Sequence, residues 1–278
     1  MPGRLYKASS DHHLQEYSPL PDPFAHSGHT AWQPSSQVSE PAPGFFFVEG
    51  PASNWIIVRD ESGFILVDSG YPGDTDFVLK SIDYAGLKPA KARAILITHG
   101  HVDHTGSAAL FSRTFGTPIL CSPEELAHVQ GHEKHQVGLG QVVLRAWRPR
   151  VLRWMSHAIR AGALNADPAT EARAWTAEQL RELPGSPEAI LVAGHTPGNA
   201  SIYFRGAGVI ATGDSLITGH PLTRQRGPQM LHPMFHTEPG TVLSATHVLD
   251  GVEASVILPG HGPALAMPLS HALASLRA

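Results

Sequence analysis

Residues 97–106 read Ile97-Thr98-His99-Gly100-His101-Val102-Asp103-His104-Thr105-Gly106 and directly follow the apolar run Ala94-Ile95-Leu96. They place three histidines and one aspartate within six residues at the end of a predicted strand. Imidazole and carboxylate groups suit zinc and similar ions, and such ions make bound water a nucleophile at neutral pH. The stretch therefore predicts half of a two-metal site.

Three later segments repeat a short β-type run followed by a glycine turn that carries one histidine or aspartate. They are 191–198 with His195, 209–214 with Asp214 and 256–262 with His261. Each would deliver one ligand from a strand end, where a rigid scaffold holds the side chain in place. The chain thus supplies candidates for the other half of the site.

Composition limits the class of protein. The 278 residues are 42% hydrophobic and 16% charged, which allows a full core in one large domain or two small ones. The formal net charge of −4 offers no basic surface for nucleic acid, so we expect a small-molecule substrate instead. No run approaches the roughly 20 apolar residues of a membrane span, and the N-terminus lacks an apolar segment of secretory length.

The cysteine content bears on the compartment. Cys121 is the single cysteine, so no intramolecular disulfide can form and nothing requires an oxidising compartment. We expect a cytoplasmic protein. Because Cys121 lies away from every ligand motif, we also expect it to be a core residue.

The chain is predicted to divide into an arm and a domain. Residues 1–42 are rich in proline and serine and predict an irregular arm, which could wrap the domain or a partner subunit in a homodimer. Residues 43–278 predict a single domain with a helical insertion at about 123–185. The predicted strands are 45–48, 55–58, 64–67, 92–97, 118–121, 189–192, 201–204, 208–211 and 255–258. The predicted helices are 74–86, 106–114, 141–162, about 240–249 and from about 265 onward.

The predicted helix 141–162 alternates apolar residues at helical spacing with five arginines. Pro149 predicts a break or kink in it. Three interpretations stay open: ordinary packing with the arginines in water, a lid over the active site, or a helix on a membrane surface.

Taken together, the motifs resemble those of the metallo-β-lactamase superfamily of metallohydrolases. The matching positions, in family order, are Asp68 in Val-Asp-Ser-Gly, the cluster 99–104, His195, Asp214 and His261. The resemblance spans residues 45–265 and implies an α/β fold, a four-layer αβ/βα sandwich with the metals at one edge of its two sheets.

The resemblance also implies roles for individual residues. The first of two divalent metal ions, most simply zinc with iron or manganese as alternatives, would be held by His99, His101 and His195. The second would be held by Asp103, His104 and His261. Asp214 would bridge both ions, and Asp103 and Asp214 form the candidate catalytic pair. Asp68 would support the ligand loops rather than bind metal.

The implied chemistry is attack on a carbonyl by a hydroxide shared between two ions, without a serine or cysteine nucleophile. Lactones, esters and thioesters are the natural substrates. Hydrolysis of a β-lactam amide is an alternative, although true β-lactamases of the superfamily commonly lack an aspartate at the position of Asp214. An iron-dependent oxidoreductase similar to persulfide dioxygenases is a further alternative.

Within the superfamily, the ligand set resembles the branch of lactonases and glyoxalase II-type thioesterases. Only 17 residues follow His261, too few for the helical domain with which glyoxalase II binds glutathione. The tyrosine that lactonases place shortly after the bridging aspartate is absent, since Asp214 is followed by Ser-Leu-Ile. The usual His-Thr-Pro-Gly-His motif also ends differently, at Asn199. The substrate therefore stays open.

Two segments could form the substrate pocket: the 90 residues between His104 and His195, and the loop 215–239. We expect a pocket of mixed apolar and cationic character and a substrate with a hydrophobic body and an anionic group. The opposing interpretation is that the arginines are simply solvated. The candidate substrate-binding residues are Arg224, Arg226, His232 and Phe235.

Overall fold

Two mixed β-sheets organise the part of the chain that the computed structural model describes, which is residues 6–7 and 33–278. In chain order the strands are β1 (Tyr6–Lys7), β2 (Val38–Ala42), β3 (Phe45–Glu49), β4 (Asn54–Asp60), β5 (Gly63–Val67), β6 (Ala92–Leu96), β7 (Ile119–Cys121), β8 (Arg173–Ala174), β9 (Glu188–Leu191), β10 (Ala200–Phe204), β11 (Val209–Gly213), β12 (Val256–Pro259) and β13 (Leu265–Ala266). One sheet has the order β1-β13-β12-β11-β10-β9 and the other the order β2-β3-β4-β5-β6-β7-β8.

Helices cover the outer faces of both sheets. In chain order they are α1 (Pro34–Gln37), α2 (Thr75–Tyr84), α3 (Val102–Thr105), α4 (Ala108–Phe115), α5 (Leu126–Val129), α6 (Leu139–Val143), α7 (Pro149–Arg160), α8 (Ala177–Arg181), α9 (Val242–Ala245) and α10 (Leu269–Arg277). Val78 and Ile82 of α2 and Phe111 of α4 are buried in the same cluster as the seven-stranded sheet. Among the described residues, no helix has the length and apolar character needed to cross a membrane.

The inner faces of the two sheets pack against each other. Phe45 on β3 meets Phe204 on β10 edge to face, with ring centroids 5.0 Å apart. On the other face of the six-stranded sheet, Ile210 and Ile257 pack with Leu273 of α10. The layers therefore run helix, sheet, sheet, helix, which confirms the predicted four-layer α/β fold.

Strand direction brings the predicted ligands to one edge of the sheets. Strand β5 runs parallel to β6, and β11 runs parallel to β12. Because carboxyl ends of parallel strands meet at the same edge, the residues that follow them can converge. Asp68 follows β5, His99 follows β6 after two residues, Asp214 follows β11 and His261 follows β12.

The structure changes the predicted arm. Strand β2 covers residues 38–42 and pairs antiparallel with β3, so the irregular segment does not extend to residue 42. The reason is burial: Val38 and Ala42 at its ends enter the core. The backbone of β1 pairs in parallel with β13. The rest of the predicted arm, residues 1–5 and 8–32, lies outside the described residues.

Three helix predictions need new boundaries. The helix predicted over 141–162 is two helices, and α7 begins at Pro149, so the predicted break is confirmed with proline at the favoured first position. The helix predicted over 240–249 is the short α9 followed by a 3-10 turn at 246–249. The terminal helix begins at Leu269, after Pro268, because residues 265–266 pair as β13.

Candidate metal centre

The seven predicted metal ligands lie together at the common edge of the two sheets. Those of the first motif come from the loop after β6 and from α3, whose first turn carries Asp103 and His104. Asp103 has a side chain that is 17% exposed, whereas the other six residues are buried. The structure thus brings every predicted ligand into one mostly buried cluster.

Three ring nitrogens form a triangle that we call the three-histidine cluster. Nε2 of His99 lies 3.1 Å from Nδ1 of His101 and 3.1 Å from Nε2 of His195, and the third side is 3.0 Å. Nitrogens that hold one tetrahedral ion at about 2.1 Å stand roughly 3.4 Å apart. The triangle is therefore close to the dimensions that a zinc-sized cation requires.

A second group of donors, the Asp103–His104–His261 cluster, lies next to the first. Oδ2 of Asp103 is 3.8 Å from Nε2 of His104 and 3.5 Å from Nε2 of His261. The donor atoms of these three residues all lie within 4.8 Å of one another. This cluster combines two imidazoles with a carboxylate, which is also a metal-binding set.

Asp214 lies between the two clusters. Its Oδ2 is 3.4 Å from Nε2 of His195 and 3.3 Å from Nε2 of His261. Its Oδ1 lies 3.6 Å from Nε2 of His104, and both of these atoms are buried without a hydrogen-bond partner among the described residues. Buried polar atoms left unsatisfied cost about 1–3 kcal/mol each. A cation bound between this imidazole nitrogen and this carboxylate oxygen would satisfy both atoms.

Burial keeps the three-histidine cluster in the neutral form that binds metal. Burial lowers the pKa of His99 and His195 well below the ordinary value, and neighbouring imidazoles lower both further. Burial also lowers the pKa of His101 to about 4. Neutral rings present a lone pair to a cation, so no proton must be displaced at neutral pH.

The second cluster carries an excess of negative charge. Burial lowers the pKa of His104, but Asp68, Asp103 and Asp214 outweigh it and raise that pKa to about 10. Burial would raise the pKa of Asp214, yet the imidazoles of His261 and His104 hold it well below its usual range. Three carboxylates around one imidazole favour a bound positive charge, whether a proton or a metal ion.

Asp68 orients one histidine of each cluster. Its Oδ2 accepts a hydrogen bond of 2.8 Å from Nδ1 of His104 and another of 2.8 Å from Oγ1 of Thr98. Since the Thr98 hydroxyl donates to Asp68, it accepts from Nδ1 of His99 at 3.1 Å. Both histidines are therefore held with Nε2 directed into the site, and carboxylates commonly take this orienting role beside metal ligands.

Sequence reasoning missed His236, which supports His195. The two Nδ1 atoms are 3.0 Å apart, and Nε2 of His236 lies 3.1 Å from the carbonyl oxygen of Leu231. Since the Nε2–H donates to that carbonyl, Nδ1 of His236 accepts from Nδ1–H of His195. The sequence placed His236 in the pocket loop but gave no sign of this contact.

Glu125 is a second residue that the sequence did not reveal. Its side chain is fully buried. Oε1 accepts from the backbone N–H of Gly100 and Oε2 from the Thr196 hydroxyl, at 2.8 and 2.7 Å. Burial raises its pKa, but these and other hydrogen bonds outweigh it and keep the pKa lowered. Glu125 thus ties the loop of His99 and His101 to the loop of His195.

The position directly before His261 requires a glycine, Gly260. A Cβ atom at this position would lie 2.5 Å from Oδ1 of Asp214 and 2.8 Å from Cε1 of His104. Any side chain would displace the carboxylate between the clusters. The close approach of backbone to ligand therefore requires glycine here.

The four candidate substrate-binding residues are not all brought together. Arg224 and His232 line one cleft beside α7, and the ring of Phe235 lies 5.4 Å from that of His220. Arg226 lies apart from them, against Gly219. Its positive charge lowers the pKa of Glu49, which burial raises. Next to Arg226, the N–H of Gly227 donates to the carbonyl oxygen of Thr218 at 3.0 Å.

Comparisons with known proteins agree with this architecture. A model of the metallo-β-lactamase superfamily matches residues 48–261. The probable metallo-hydrolase YybB of Bacillus subtilis is 26% identical over 222 residues, which cover 76% of this chain and 81% of that protein. A motif mutant of a Cronobacter sakazakii metallo-β-lactamase has the same fold, with a TM-score of 0.58 and 21% identity over 81% of this chain and 80% of that one.

A metallo-β-lactamase family protein from Thermus thermophilus gives a TM-score of 0.58 at 19% identity, covering 84% of this chain and 79% of that one. At such identities the two solved structures show the fold alone. The family model covers more than half of the chain and includes all seven residues of the cluster. The chain therefore belongs to the metallo-β-lactamase superfamily of metal-dependent hydrolases.

Proposed function

We propose that this protein hydrolyses a carbonyl compound, an ester, lactone or thioester, with two divalent metal ions. The observation that carries the proposal is the position of Asp214. Its Oδ2 stands 3.4 Å from His195 and 3.3 Å from His261, one from each cluster of three donors. One carboxylate that faces two such clusters is the arrangement expected of a bridging ligand.

The ligand sets follow from the two clusters. The three-histidine cluster would hold one ion and the Asp103–His104–His261 cluster the other, with Asp214 shared between them. Imidazole and carboxylate donors favour zinc, and iron or manganese also accept them. When bound, such ions lower the pKa of water towards neutrality and stabilise the developing oxyanion of a carbonyl.

The protein's own side chains would orient the metal ligands and exclude water from the site. Asp68 and His236 fix the tautomers of the ligating histidines, and Glu125 keeps the two ligand loops together. Asp103 is the most exposed of the seven, so it would face the entering substrate, and Asp103 and Asp214, the proposed catalytic pair, would act as ionised carboxylates that hold the ions. Cys121 is unsuited as a nucleophile, because burial raises the pKa of its thiol to about 12.

Metal content and turnover of the purified protein test the proposal. We expect about two zinc-type ions per chain and hydrolysis of at least one member of a panel of lactones, aryl esters, thioesters and a chromogenic β-lactam. Asp214→Asn and His195→Ala should lower both bound metal and hydrolysis, the latter by orders of magnitude. Asp60→Asn, at an exposed strand end, is the matched control. Full activity in either site variant, or iron with oxygen consumption, would overturn the proposal.

Three expectations about the domain, the location and the oligomeric state are also proposals. We propose one domain that comprises strand β2 and residues 43–278, with the insertion at about 123–185, a cytoplasmic location and a homodimer. The first is supported by the continuous packing of both sheets, the second by the single cysteine. The third is supported by the proline-rich arm, and size-exclusion chromatography with light scattering would test it.

A further inference from the structure

A cleft of about 460 Å³ lies between α7 and the loop that follows Asp214. Its basic lining residues are Arg145, Arg148, Arg150, Arg153, Arg224 and His232. The remaining lining residues are Pro149, Val151, Leu222 and Met234. None of these described lining residues is acidic, so the cleft concentrates positive charge in a concave, partly apolar space.

The arginines converge because two separate segments are fastened together. Arg150 and Arg153 are three residues apart on α7 and so share one side of the helix. The guanidinium of Arg150 donates to the carbonyl oxygen of Thr223 at 2.9 Å, which holds the loop against the helix. Arg224 is thereby fixed opposite the helix. The contact gives the cleft a defined position between α7 and the loop.

Three of the cleft's arginines differ in their partners from other arginines of the chain. Elsewhere Arg113 pairs with Asp167 and Arg277 with Asp250. By contrast, no Asp or Glu among the described residues forms an ion pair with Arg148, Arg150 or Arg224. Burial lowers the pKa of His232 in the cleft, and Arg145 and Arg148 lower it further, as expected in a positive potential. An anion would relieve this repulsion.

Aromatic rings connect the cleft to the metal centre. The ring of His220 lies 5.2 Å from that of the proposed ligand His261, and the ring of Trp154 lies 6.3 Å from His220. Phe235 contacts both Trp154 and His220. Trp154 directly follows Arg153 on α7. His220 and Phe235 are buried and Trp154 is partly exposed, so a continuous series of ring contacts links the metal centre to the cleft.

We propose that the arginine cleft binds a phosphate group of the substrate, so that the enzyme acts on elongated acyl compounds that are phosphorylated away from the scissile carbonyl. Guanidinium groups bind phosphate through paired, charge-assisted hydrogen bonds, and several converge here. The apolar body of the substrate would pass Trp154, the most exposed of the three rings. This inference rests on the proposed carbonyl hydrolysis.

A pair of esters tests the inference by kinetics. The probes are the aryl esters of an ω-phosphorylated and of the matching ω-hydroxylated fatty acid. We expect a KM about tenfold or more lower for the phosphorylated ester, as charged hydrogen bonds give. Arg148→Ala combined with Arg224→Ala should abolish this difference by raising the KM of the phosphorylated ester to that of the hydroxylated one. Arg205→Ala, which removes an exposed arginine paired with Glu188, is the matched control.

Binding of inorganic phosphate to the metal-loaded protein gives a measurement that does not depend on turnover. We expect calorimetry to show binding that weakens about tenfold or more in the Arg148 and Arg224 double variant. If no ester is hydrolysed but this loss is seen, the proposed function fails and the phosphate site stands. If esters are hydrolysed without preference and the double variant binds phosphate normally, the cleft inference fails.

Two further outcomes would overturn the inference. Phosphate binding that disappears in Asp214→Asn but persists in the double variant would place the anion at the metal centre. Sedimentation with vesicles of phosphatidylcholine and phosphatidylglycerol tests a lipid source, since Trp147 and Leu144 beside the cleft are 76% and 77% exposed. Binding to these vesicles alone, without an effect of free phosphate or of the phosphorylated ester, would assign the arginines to a membrane surface instead.

Discussion

Nδ1 of His104 donates a hydrogen bond of 2.8 Å to Oδ2 of Asp68, and this contact fixes which nitrogen of His104 faces the metal centre. The backbone of Asp68 has a φ of +61°, a conformation that costs a non-glycine residue about 1–2 kcal/mol. Both Asp68 oxygens are occupied, because Oδ1 accepts from the N–H of Thr98 at 2.8 Å. The strained backbone of Asp68 is therefore held in place by its hydrogen bonds with Thr98 and His104, the residues that Asp68 orients.

Asp68→Asn should weaken metal binding. An amide group in place of one oxygen faces a donor, either His104 or Thr98, so one of these contacts is lost. We expect metal affinity and hydrolysis to fall about 10–100-fold, as for other partners of metal-binding histidines. Metal content after dialysis against a weak chelator measures the effect, with Asp60→Asn as control. Unchanged retention of both metals would show that Asp68 does not orient His104.

Glu125→Gln should loosen both ligand loops at once. Each Glu125 oxygen accepts two hydrogen bonds, and Gln offers an amide group to one pair of donors. We expect the free energy of unfolding to fall by about 2–4 kcal/mol, because buried donors lose a charged acceptor. Urea unfolding measures the loss. Glu124→Gln, at the exposed neighbouring position, should be near neutral, and equal effects of the two variants would contradict the assignment.

Asp74 should make stability depend on pH. Burial raises the pKa of Asp74 to about 6 from an ordinary value of 3.8, although the N–H of Tyr71 lowers it in part. A folded pKa above the unfolded one means that the contribution to stability is fully present below about pH 4 and is lost as the pH rises through about 6.

Asp74→Asn retains an acceptor for Tyr71 and removes the buried charge. We expect the variant to be more stable than the wild type above about pH 7, by up to about 3 kcal/mol for a shift of two pKa units. The two proteins should converge below about pH 4. Urea unfolding across this range measures the difference, with the exposed Asp76→Asn as control. A variant that is less stable at high pH would contradict the prediction.

The thiol of Cys121 should be unreactive in the folded protein. The side chain is fully buried on β7, and burial, with the nearby Glu125, raises the pKa of the thiol to about 12. Reactivity follows the thiolate fraction, which is negligible at neutral pH. An aromatic disulfide reagent should therefore release no colour from the native protein and one equivalent after unfolding. Fast reaction of the native protein would place Cys121 at an accessible site.

Much of the fold and of the cluster could be predicted from the sequence because the signals are local. Each candidate ligand follows a short apolar strand, and strand patterns can be recognised within a few residues. Strand β8 at Arg173–Ala174 was missed, because a strand of two residues is too short to show an alternating pattern of apolar and polar side chains. Strand β2 was also not predicted, because Ser39, Glu40 and Pro41 conceal a strand that exists by pairing with β3.

The sequence by itself determined the family motifs, their order and the convergence of seven donors, because parallel strands carry adjacent loops to one edge. Only the tertiary structure decided which groups support those donors. Glu125 accepts hydrogen bonds from Gly100 and from Thr196, and Thr196 lies 71 residues after Glu125. The arginine cleft likewise needs α7 and the loop of Arg224 to meet, through a contact between residues 73 apart. Such contacts depend on packing between distant segments, which no local pattern encodes.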